Sequence, residues 1–246
     1  MLTEAIIQGY EERGFNAWPA LHTLVVDGWL LRFAQGHSRR ANSVNAWSST
    51  ARVDDIVDLA AASYRQQNIP LLFRITPLVP PGFDARLERQ GFERVDPSLV
   101  MVRPLELPLA FDPAVALTER PTPDWLHGVE EAAHLSHHAR QAHHAILSAV
   151  RLPAVFATLY EDGVPLAFGM AVLERGAIGL FDVVTVPQAR RRGVSRRLCK
   201  TLLAWGQQRS ARAAYLQVLA ANHAAVTLYE NLGFVLAYRY HYRIPA

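Results

Sequence analysis

A short basic turn that precedes a helix-like segment carries the strongest chemical signal in this sequence. A β-rich run, residues 182–187, ends at a proline. Between it and the apolar helical pattern at Leu198 and Leu202 lies a six-residue loop: Arg190, Arg191, Arg192, Gly193, Val194 and Ser195. The first turn of a helix offers free backbone N–H groups and the positive end of the helix dipole, and glycine lets a ligand approach the backbone closely. The pattern therefore predicts a site for a pyrophosphate.

A second pattern lies downstream. Asn222 and Ala225 precede Leu228-Tyr229, and Gly233-Phe234 follows at the start of the next apolar run. Asn222 is a favourable helix N-cap. Tyr229 is either an aromatic core residue or a phenol that serves as a proton donor.

Together the two patterns resemble the GCN5-related N-acetyltransferase (GNAT) family. Arg190, Gly193 and Ser195 fall on the defined positions of its loop Q/R-x-x-G-x-G/A, with serine in place of the final glycine or alanine. The downstream residues match N-x-x-A-x-x-L-Y-x-x-x-G-F, and the resemblance covers about residues 113–242. It implies that acetyl-CoA is the cosubstrate and that the loop holds its pyrophosphate.

The resemblance also implies a mechanism. The fourth and fifth strands of the domain would splay apart, with the pantetheine arm on the backbone of Val184, Thr185 and Val186 and with Asn222 beside the cofactor. An acceptor amine would attack the thioester directly, and Tyr229 would protonate the departing thiolate. Asp182 is the first choice for the general base, although a structural strand-edge carboxylate is an equal alternative.

The histidines allow a further reading. His134, His137 and His138 have helical spacing, and His143-His144 follows, so an imidazole metal site can be drawn. Neither a cysteine nor a well-spaced carboxylate completes such a set, and a turn near Ser136 would break the helix. We therefore expect no metal site, and acceptor recognition or surface exposure for these side chains.

Periodicity and turn residues predict an α+β fold with two GNAT-like domains, each a mixed twisted sheet flanked by helices. Residues 1–108 would form a degenerate GNAT-like domain and residues 109–246 the acetyl-CoA-binding domain. The predicted helices are residues 2–12, 53–67, 83–90, 124–135, 140–150, 192–208 and 222–231, and the predicted extended segments are residues 22–26, 29–34, 39–47, 71–75, 98–103, 114–118, 154–160, 166–173, 177–186, 213–219 and 234–242.

The two halves share an order of elements, including a Gly-Phe pair before a strand at Gly91 and at Gly233, which favours a tandem duplication. The segment of the first half opposite the basic loop, residues 43–53, lacks its glycine and its run of arginines. Arg39, Arg40, Asn42 and Asn45 are expected on one strand there. They would line an acceptor pocket or stabilise the interface between the halves.

Composition narrows the class of protein. The formal charge is only +3, and much of the basic excess lies between residues 190 and 197, which favours a phosphate ligand over nucleic acid. Cys199 is the only cysteine, and its apolar helical register predicts a buried, inert thiol. No apolar run approaches the roughly 20 residues that cross a bilayer, so we expect a cytoplasmic protein without a membrane partner; a homodimer stays open.

Three functions are compatible with these patterns. The first is acetyl transfer to a primary amine of a small molecule or amino acid. The second is a non-catalytic acyl-CoA-binding or scaffold protein. The third is acetylation of protein lysines.

Overall fold

The computed structural model describes residues 2–246, which form one continuous mixed sheet with helices on both faces. Within these residues the helices are α1 (Glu4–Ala17), α2 (Ile56–Gln66), α3 (Phe83–Arg89), α4 (Pro123–Ala132), α5 (His137–Ala149), α6 (Val194–Gln208) and α7 (His223–Asn231). The strands are β1 (His22–Val26), β2 (Trp29–Phe33), β3 (Val44–Ala46), β4 (Phe73–Ile75), β5 (Phe92–Pro104), β6 (Val115–Thr118), β7 (Ala154–Glu161), β8 (Val164–Glu174), β9 (Ala177–Thr185), β10 (Ala213–Leu219) and β11 (Val235–Pro245). The predicted mixed sheet flanked by helices is confirmed.

The order of strands across the sheet is β1-β2-β3-β4-β11-β5-β10-β9-β8-β7-β6. The β3–β4 and β9–β10 pairs are parallel, and the remaining pairs are antiparallel. The last strand of each half therefore lies beside strands of the other half: β5 separates β10 from β11, and β11 separates β4 from β5. The sequence pattern did not predict this interleaving.

The two halves repeat one order of elements. The first half runs α1, β1, β2, β3, α2, β4, α3, β5, and the second runs α5, β7, β8, β9, α6, β10, α7, β11 after the additional β6 and α4. Each repeat contains one parallel pair, between its third and fourth strands. This repetition is the arrangement that a tandem duplication produces.

The prediction of an extended segment over residues 39–47 is wrong in its first part. Arg39–Ala41 is a short 3-10 helix, and only Val44–Ala46 is a strand. Asn42 explains the difference, because its side chain accepts hydrogen bonds from the N–H groups of Ala34 and Gly36 and donates to the carbonyls of His37 and Ser38. These side-chain bonds replace the ladder bonds that a strand would have made.

Helix ends follow their capping residues. The hydroxyl of Ser136 accepts from the N–H of Ala139, so α5 begins at His137, three residues before the predicted start. Gly193, with a φ of 78°, precedes α6, which begins at Val194 rather than Arg192. In residues 2–246 no helix is long and apolar enough to cross a membrane.

Candidate active site

The parallel strands β9 and β10 separate partway along the sheet. They pair from Ala177 opposite Ala213 to Leu180 opposite Leu216, and beyond that point β9 continues to Thr185 without β10 as a partner. The predicted splay between these strands is confirmed. It leaves the β10-facing edge of residues 182–185 open in the described part of the chain.

The loop after β9 exposes backbone donors at the mouth of this gap. Arg191 and Gly193 both have positive φ values, 61° and 78°, and the N–H of Arg197 is the first to bond back to the Gly193 carbonyl. The preceding N–H groups of the first turn of α6 therefore have no acceptor within the helix. They face the position at which an anion would be held by the positive helix end.

A groove of about 770 Å³ joins the loop, the open edge of β9 and α7. In residues 2–246 no carboxylate pairs with Arg190, Arg191 or Arg196 on its wall. The opposite wall is apolar, with Ala225 and Leu228 of α7. Unpaired guanidinium groups at one end and apolar side chains along the length suit a pyrophosphate with a pantetheine arm.

Most of the residues predicted for this site lie together. Those on the wall of the groove are Val184, Thr185, Arg190, Arg191, Gly193, Val194, Ser195, Asn222 and Tyr229. Three others do not line the groove: Asp182, described below, Arg192 and Val186. The guanidinium of Arg192 pairs with Glu161, and the N–H of Val186 bonds to the carbonyl of Leu166 on β8.

Ser195 and Asn222 each have a local structural partner. The hydroxyl of Ser195 lies 2.5 Å from that of Thr185, so it links the first turn of α6 to the end of β9. The side chain of Asn222 accepts from the N–H of Ala225 at 3.1 Å and caps α7. Both contacts fix walls of the groove.

Tyr229 is 7% exposed and lies on the wall of the groove. Burial raises the pKa of its phenol well above the ordinary value, and the nearby Cys199 raises it further. The hydroxyl therefore stays protonated at neutral pH. Burial also raises the pKa of Cys199 to about 12, so the predicted inert thiol is confirmed.

Asp182 lies in a β-bulge. Phe168 pairs with Val184 and Met170 with Phe181, so Asp182 and Val183 together lie opposite Gly169, and Asp182 has a φ of 49°. The indole N–H of Trp125 donates to the Gly169 carbonyl at 3.1 Å. A bulge redirects side chains, and here it places Asp182 against α5.

The carboxylate of Asp182 contacts a buried histidine. Its Oδ2 lies 2.7 Å from Nε2 of His143, whose ring is packed between Trp18 and Trp125 at centroid distances of 5.8 and 6.3 Å. His143 is 1% exposed, and its Nδ1 has no hydrogen-bond partner in the described residues. With Nε2–H donated to Asp182, Nδ1 carries the free lone pair.

A loop of the first half completes this cluster. His37 lies 5.6 Å from His143 between ring centroids, and burial lowers the pKa of His37, as does the neighbouring His143. The loop is fixed from two sides. Asn42 binds its backbone, and the buried guanidinium of Arg32 donates to the carbonyls of Arg40 and Trp18.

The other histidines do not share a helical face. His134 lies in the turn between α4 and α5 with a φ of 53°, and His137 and His138 are exposed on α5. His144 pairs with the buried Glu130 at 2.6 Å. In residues 2–246 no three His, Cys, Asp or Glu side chains are grouped so as to hold a metal ion.

The sequence interpretation expected acceptor recognition or surface exposure for His143, but it did not predict the burial of this residue or its contact with Asp182, and it missed His37. One signal for His143 was present, because it occupies the apolar face of α5 together with Ala142, Ile146 and Leu147. A histidine on an apolar face is buried, and a buried histidine needs a polar partner. His37 carries no comparable signal.

Comparisons with known proteins give a consistent result. A family model described as "Probable histone acetyltransferase Rv0428c C-terminal" matches residues 5–243. The chain is 26% identical to "Uncharacterized N-acetyltransferase YobR" of Bacillus subtilis over 97% of this chain and 98% of that protein.

Two solved structures share the fold. A GCN5-related N-acetyltransferase from Kribbella flavida aligns with a TM-score of 0.71 at 15% identity, over 100% of this chain and 97% of that one. A tandem GNAT protein from the clavulanic acid biosynthesis pathway aligns with a TM-score of 0.62 at 12% identity, over 95% and 86% of the two chains.

Proposed function

The chain belongs to the GCN5-related N-acetyltransferase family and is an acyltransferase, and on that premise we propose that it transfers the acetyl group of acetyl-CoA to the primary amine of a small molecule or amino acid. Enzymes of this family use acetyl-CoA as cosubstrate. The proposal concerns the acceptor and the residues that carry the reaction.

One observation supports it above the others: the gap between β9 and β10 has different chemistry on its two sides. The groove with Arg190, Arg191 and Tyr229 lies on the face covered by α6 and α7. The Asp182–His143 pair lies toward α5 and Trp18 on the other face. An amine and a thioester brought to the gap from opposite faces would meet there in the orientation that direct attack requires.

Asp182 and His143 act as the base. An ammonium acceptor must lose a proton before its nitrogen can attack, and a carboxylate paired with an imidazole can accept that proton directly or through one water. Asp182 fixes the tautomer of His143 by accepting from Nε2, which leaves Nδ1 as the basic atom. The positive φ of Asp182 is an uncommon conformation for this residue type, and it occurs in the bulge where β9 is held against β8.

Tyr229 acts at the leaving group. Acetyl-CoA supplies a thioester whose thiolate departs when the amide bond forms. The phenol of Tyr229 is protonated at neutral pH, as an ordinary tyrosine with a pKa of about 10 is, so its hydroxyl is available to donate to the sulfur. Two protons leave the nitrogen of an ammonium acceptor: the base takes the first before attack and releases it to solvent, and the second, lost as the amide forms, replaces the proton that Tyr229 gives to the thiolate, so the reaction balances.

We assign the cofactor to residues 109–246 and a supporting role to residues 1–108. By the order of elements, the connection between β3 and α2, residues 47–55, corresponds to the basic loop, rather than residues 43–53 as the sequence suggested, and it contains Asp54 and Asp55. Carboxylates at that position would repel a pyrophosphate. A single cofactor site in a two-part chain follows.

The proposal is tested with purified full-length protein. Calorimetry with acetyl-CoA measures cofactor binding, and release of free thiol in the presence of an amine panel measures transfer. Amine-dependent thiol release with an N-acetylated product is the expected result. Tight binding of acetyl-CoA without turnover on any amine would favour the non-catalytic acyl-CoA-binding alternative.

A further inference from the structure

A second cavity, of about 260 Å³, lies between the two halves, on the face of the sheet that carries Asp182 and His143. Its wall combines the loop of the first half, at Ser38, Arg39 and Arg40, with the end of β10. Further residues of β5 and β11 close it: Asp96, Ser98, Tyr240 and Tyr242. Its volume is below the roughly 300–1,000 Å³ of pockets for drug-sized ligands, so it suits a small molecule.

This cavity borders the gap between β9 and β10. Gln217, Val218 and Leu219 on its wall belong to the part of β10 that has already separated from β9. Side chains alternate along a strand, so Gln217 shares a face with Tyr215, which packs with Trp18 and Phe181. The cavity therefore opens on the face opposite the groove beside α6 and α7.

Arg40 connects the cavity with the proposed reaction centre. Its guanidinium lies over the rings of Trp18 and Phe181, at 5.3 and 5.6 Å from their centroids, and Phe181 directly precedes Asp182. In residues 2–246 no carboxylate pairs with Arg40, and its side chain donates no hydrogen bond.

Several other polar groups of the cavity already have partners. Arg39 pairs with Asp96 at 3.0 Å, and the hydroxyl of Ser98 donates to the Asp96 carbonyl. The amide oxygen of Gln217 accepts from Tyr240 at 3.0 Å and from Arg74 at 3.4 Å. Arg40 is thus the positive charge that the cavity leaves unneutralised, above aromatic rings that keep its guanidinium in place.

We propose that this cavity binds the amine acceptor and that Arg40 selects acceptors that carry a carboxylate group. The inference rests on the proposed function and adds the acceptor's chemical class. A carboxylate only accepts hydrogen bonds and matches the fork of a guanidinium, and one arginine balances its single charge. The acceptor's carboxylate would lie on Arg40 while its amine reaches past Phe181 toward Asp182 and His143.

The test compares matched ligands on the full-length protein. The free amino acids and their carboxamides serve as acceptors in the thiol-release assay, and phosphoethanolamine represents an amine with a phosphate. Binding of the corresponding N-acetyl amino acids and N-acetyl amino-acid amides is measured by calorimetry in the presence of CoA, so that ligand selection is read even where turnover is slow. Acetyl-CoA affinity is measured separately.

We expect the carboxylate forms to bind about 10- to 100-fold more tightly than the amides, and Arg40→Gln to remove that difference. Arg40→Lys keeps the positive charge, so it should retain part of the difference in binding between the carboxylate and amide forms. Arg65→Gln, an exposed arginine on α2, controls for the loss of one surface charge. Both substitutions at Arg40 change only the side chain, so the backbone carbonyl of residue 40 can still accept its hydrogen bond from Arg32. An unchanged affinity for acetyl-CoA shows that the variant protein is folded.

Three results would overturn the inference. In the first, the native protein binds the carboxylate and amide forms equally well or binds neither form. In the second, the native protein prefers the carboxylate form but Arg40→Gln keeps the same preference. In the third, the protein prefers phosphoethanolamine and this preference depends on Arg40. Each leaves the proposed function standing if acetyl-CoA binds and an amine is acetylated. If the native protein did not bind acetyl-CoA, that result would instead contradict the proposed function.

Discussion

Oδ2 of Asp182, in the bulge of β9, lies 2.7 Å from Nε2 of His143 on α5. We predict that Asp182→Asn lowers kcat by about 100-fold or more, because the amide neither accepts a proton nor holds the reactive tautomer of His143. Steady-state and single-turnover kinetics measure the effect. Acetyl-CoA affinity should stay unchanged, and a variant with native kcat would remove the pair from the mechanism.

The phenol of Tyr229 provides a second prediction. Tyr229→Phe keeps the ring that packs 5.9 Å from Phe234 and loses only the hydroxyl, so we expect kcat to fall by about 100-fold while acetyl-CoA binds as before. Stopped-flow measurement of thiol release tests this. Equal turnover in the two proteins would mean that water or another group protonates the thiolate.

Two neighbouring arginines allow a matched comparison of the loop. Arg190 is on the wall of the groove without an ion-pair partner, whereas Arg192 pairs with Glu161 away from it. Arg190→Gln should weaken acetyl-CoA binding about 10-fold, and Arg192→Gln should weaken it less. Calorimetry at low and high salt measures both. The difference should shrink at high salt, and the reverse ranking would contradict the placement of the two side chains.

The junction between the halves contains a buried ion pair that decides stability rather than catalysis. Glu11 and Arg74 are each 2% exposed at their side chains, and Tyr238 donates to Glu11 at 2.6 Å. Burial alone would lower the pKa of Arg74, but the Glu11 carboxylate reverses this and raises it. Glu11→Gln leaves a buried guanidinium uncompensated and should cost about 3–5 kcal/mol of unfolding free energy.

The adjacent residue supplies the control for that prediction. Glu12 pairs with Arg175 at 3.0 Å, but both side chains are well exposed. Glu12→Gln should therefore cost about 1 kcal/mol or less. Urea denaturation of the two variants measures the contrast, and equal costs would show that the buried pair contributes no more than a surface one.

The lowered pKa of His37 predicts a pH effect on stability. Burial is the main cause, and His143 adds to it. As pH falls below about 6.5, the unfolded chain binds a proton that the folded chain resists, so acid destabilises the folded state. The native protein should lose stability relative to His37→Asn in that window. A relative gain on acidification, measured by denaturant unfolding across pH, would indicate a raised pKa instead.

Local patterns in the sequence were sufficient for most of the elements and for the basic loop before α6. Apolar periodicity, the short turn between the predicted strands at residues 22–26 and 29–34 and the cap at Asn222 each depend on neighbouring residues, so α6, α7 and the first hairpin were predictable. The splay of β9 and β10 was expected only from the family resemblance. The Arg39–Ala41 turn was not, since it depends on where the side chain of Asn42 finds its hydrogen bonds.

The contacts on the face of the sheet that carries Asp182 and His143 could not be predicted from local patterns, for a different reason. The contacts of Asp182, His143 and His37 join three segments that are far apart in the chain. The bulge that turns Asp182 toward α5 arises from strand register, and no turn residue marks it. Similarly, no residue type in β5 or β11 signals that these strands exchange places between the halves.

That exchange has a consequence for how the chain folds during synthesis. Among the strands of residues 2–246, β11 is the last to be synthesised, yet it lies between β4 and β5 and completes the sheet of the first half. The first half therefore cannot close its sheet until Val235–Pro245 has been synthesised, and late, long-range pairing of this kind is slow. Deletion of residues 237–246 should consequently affect the amino-terminal half as severely as the half in which the deletion lies.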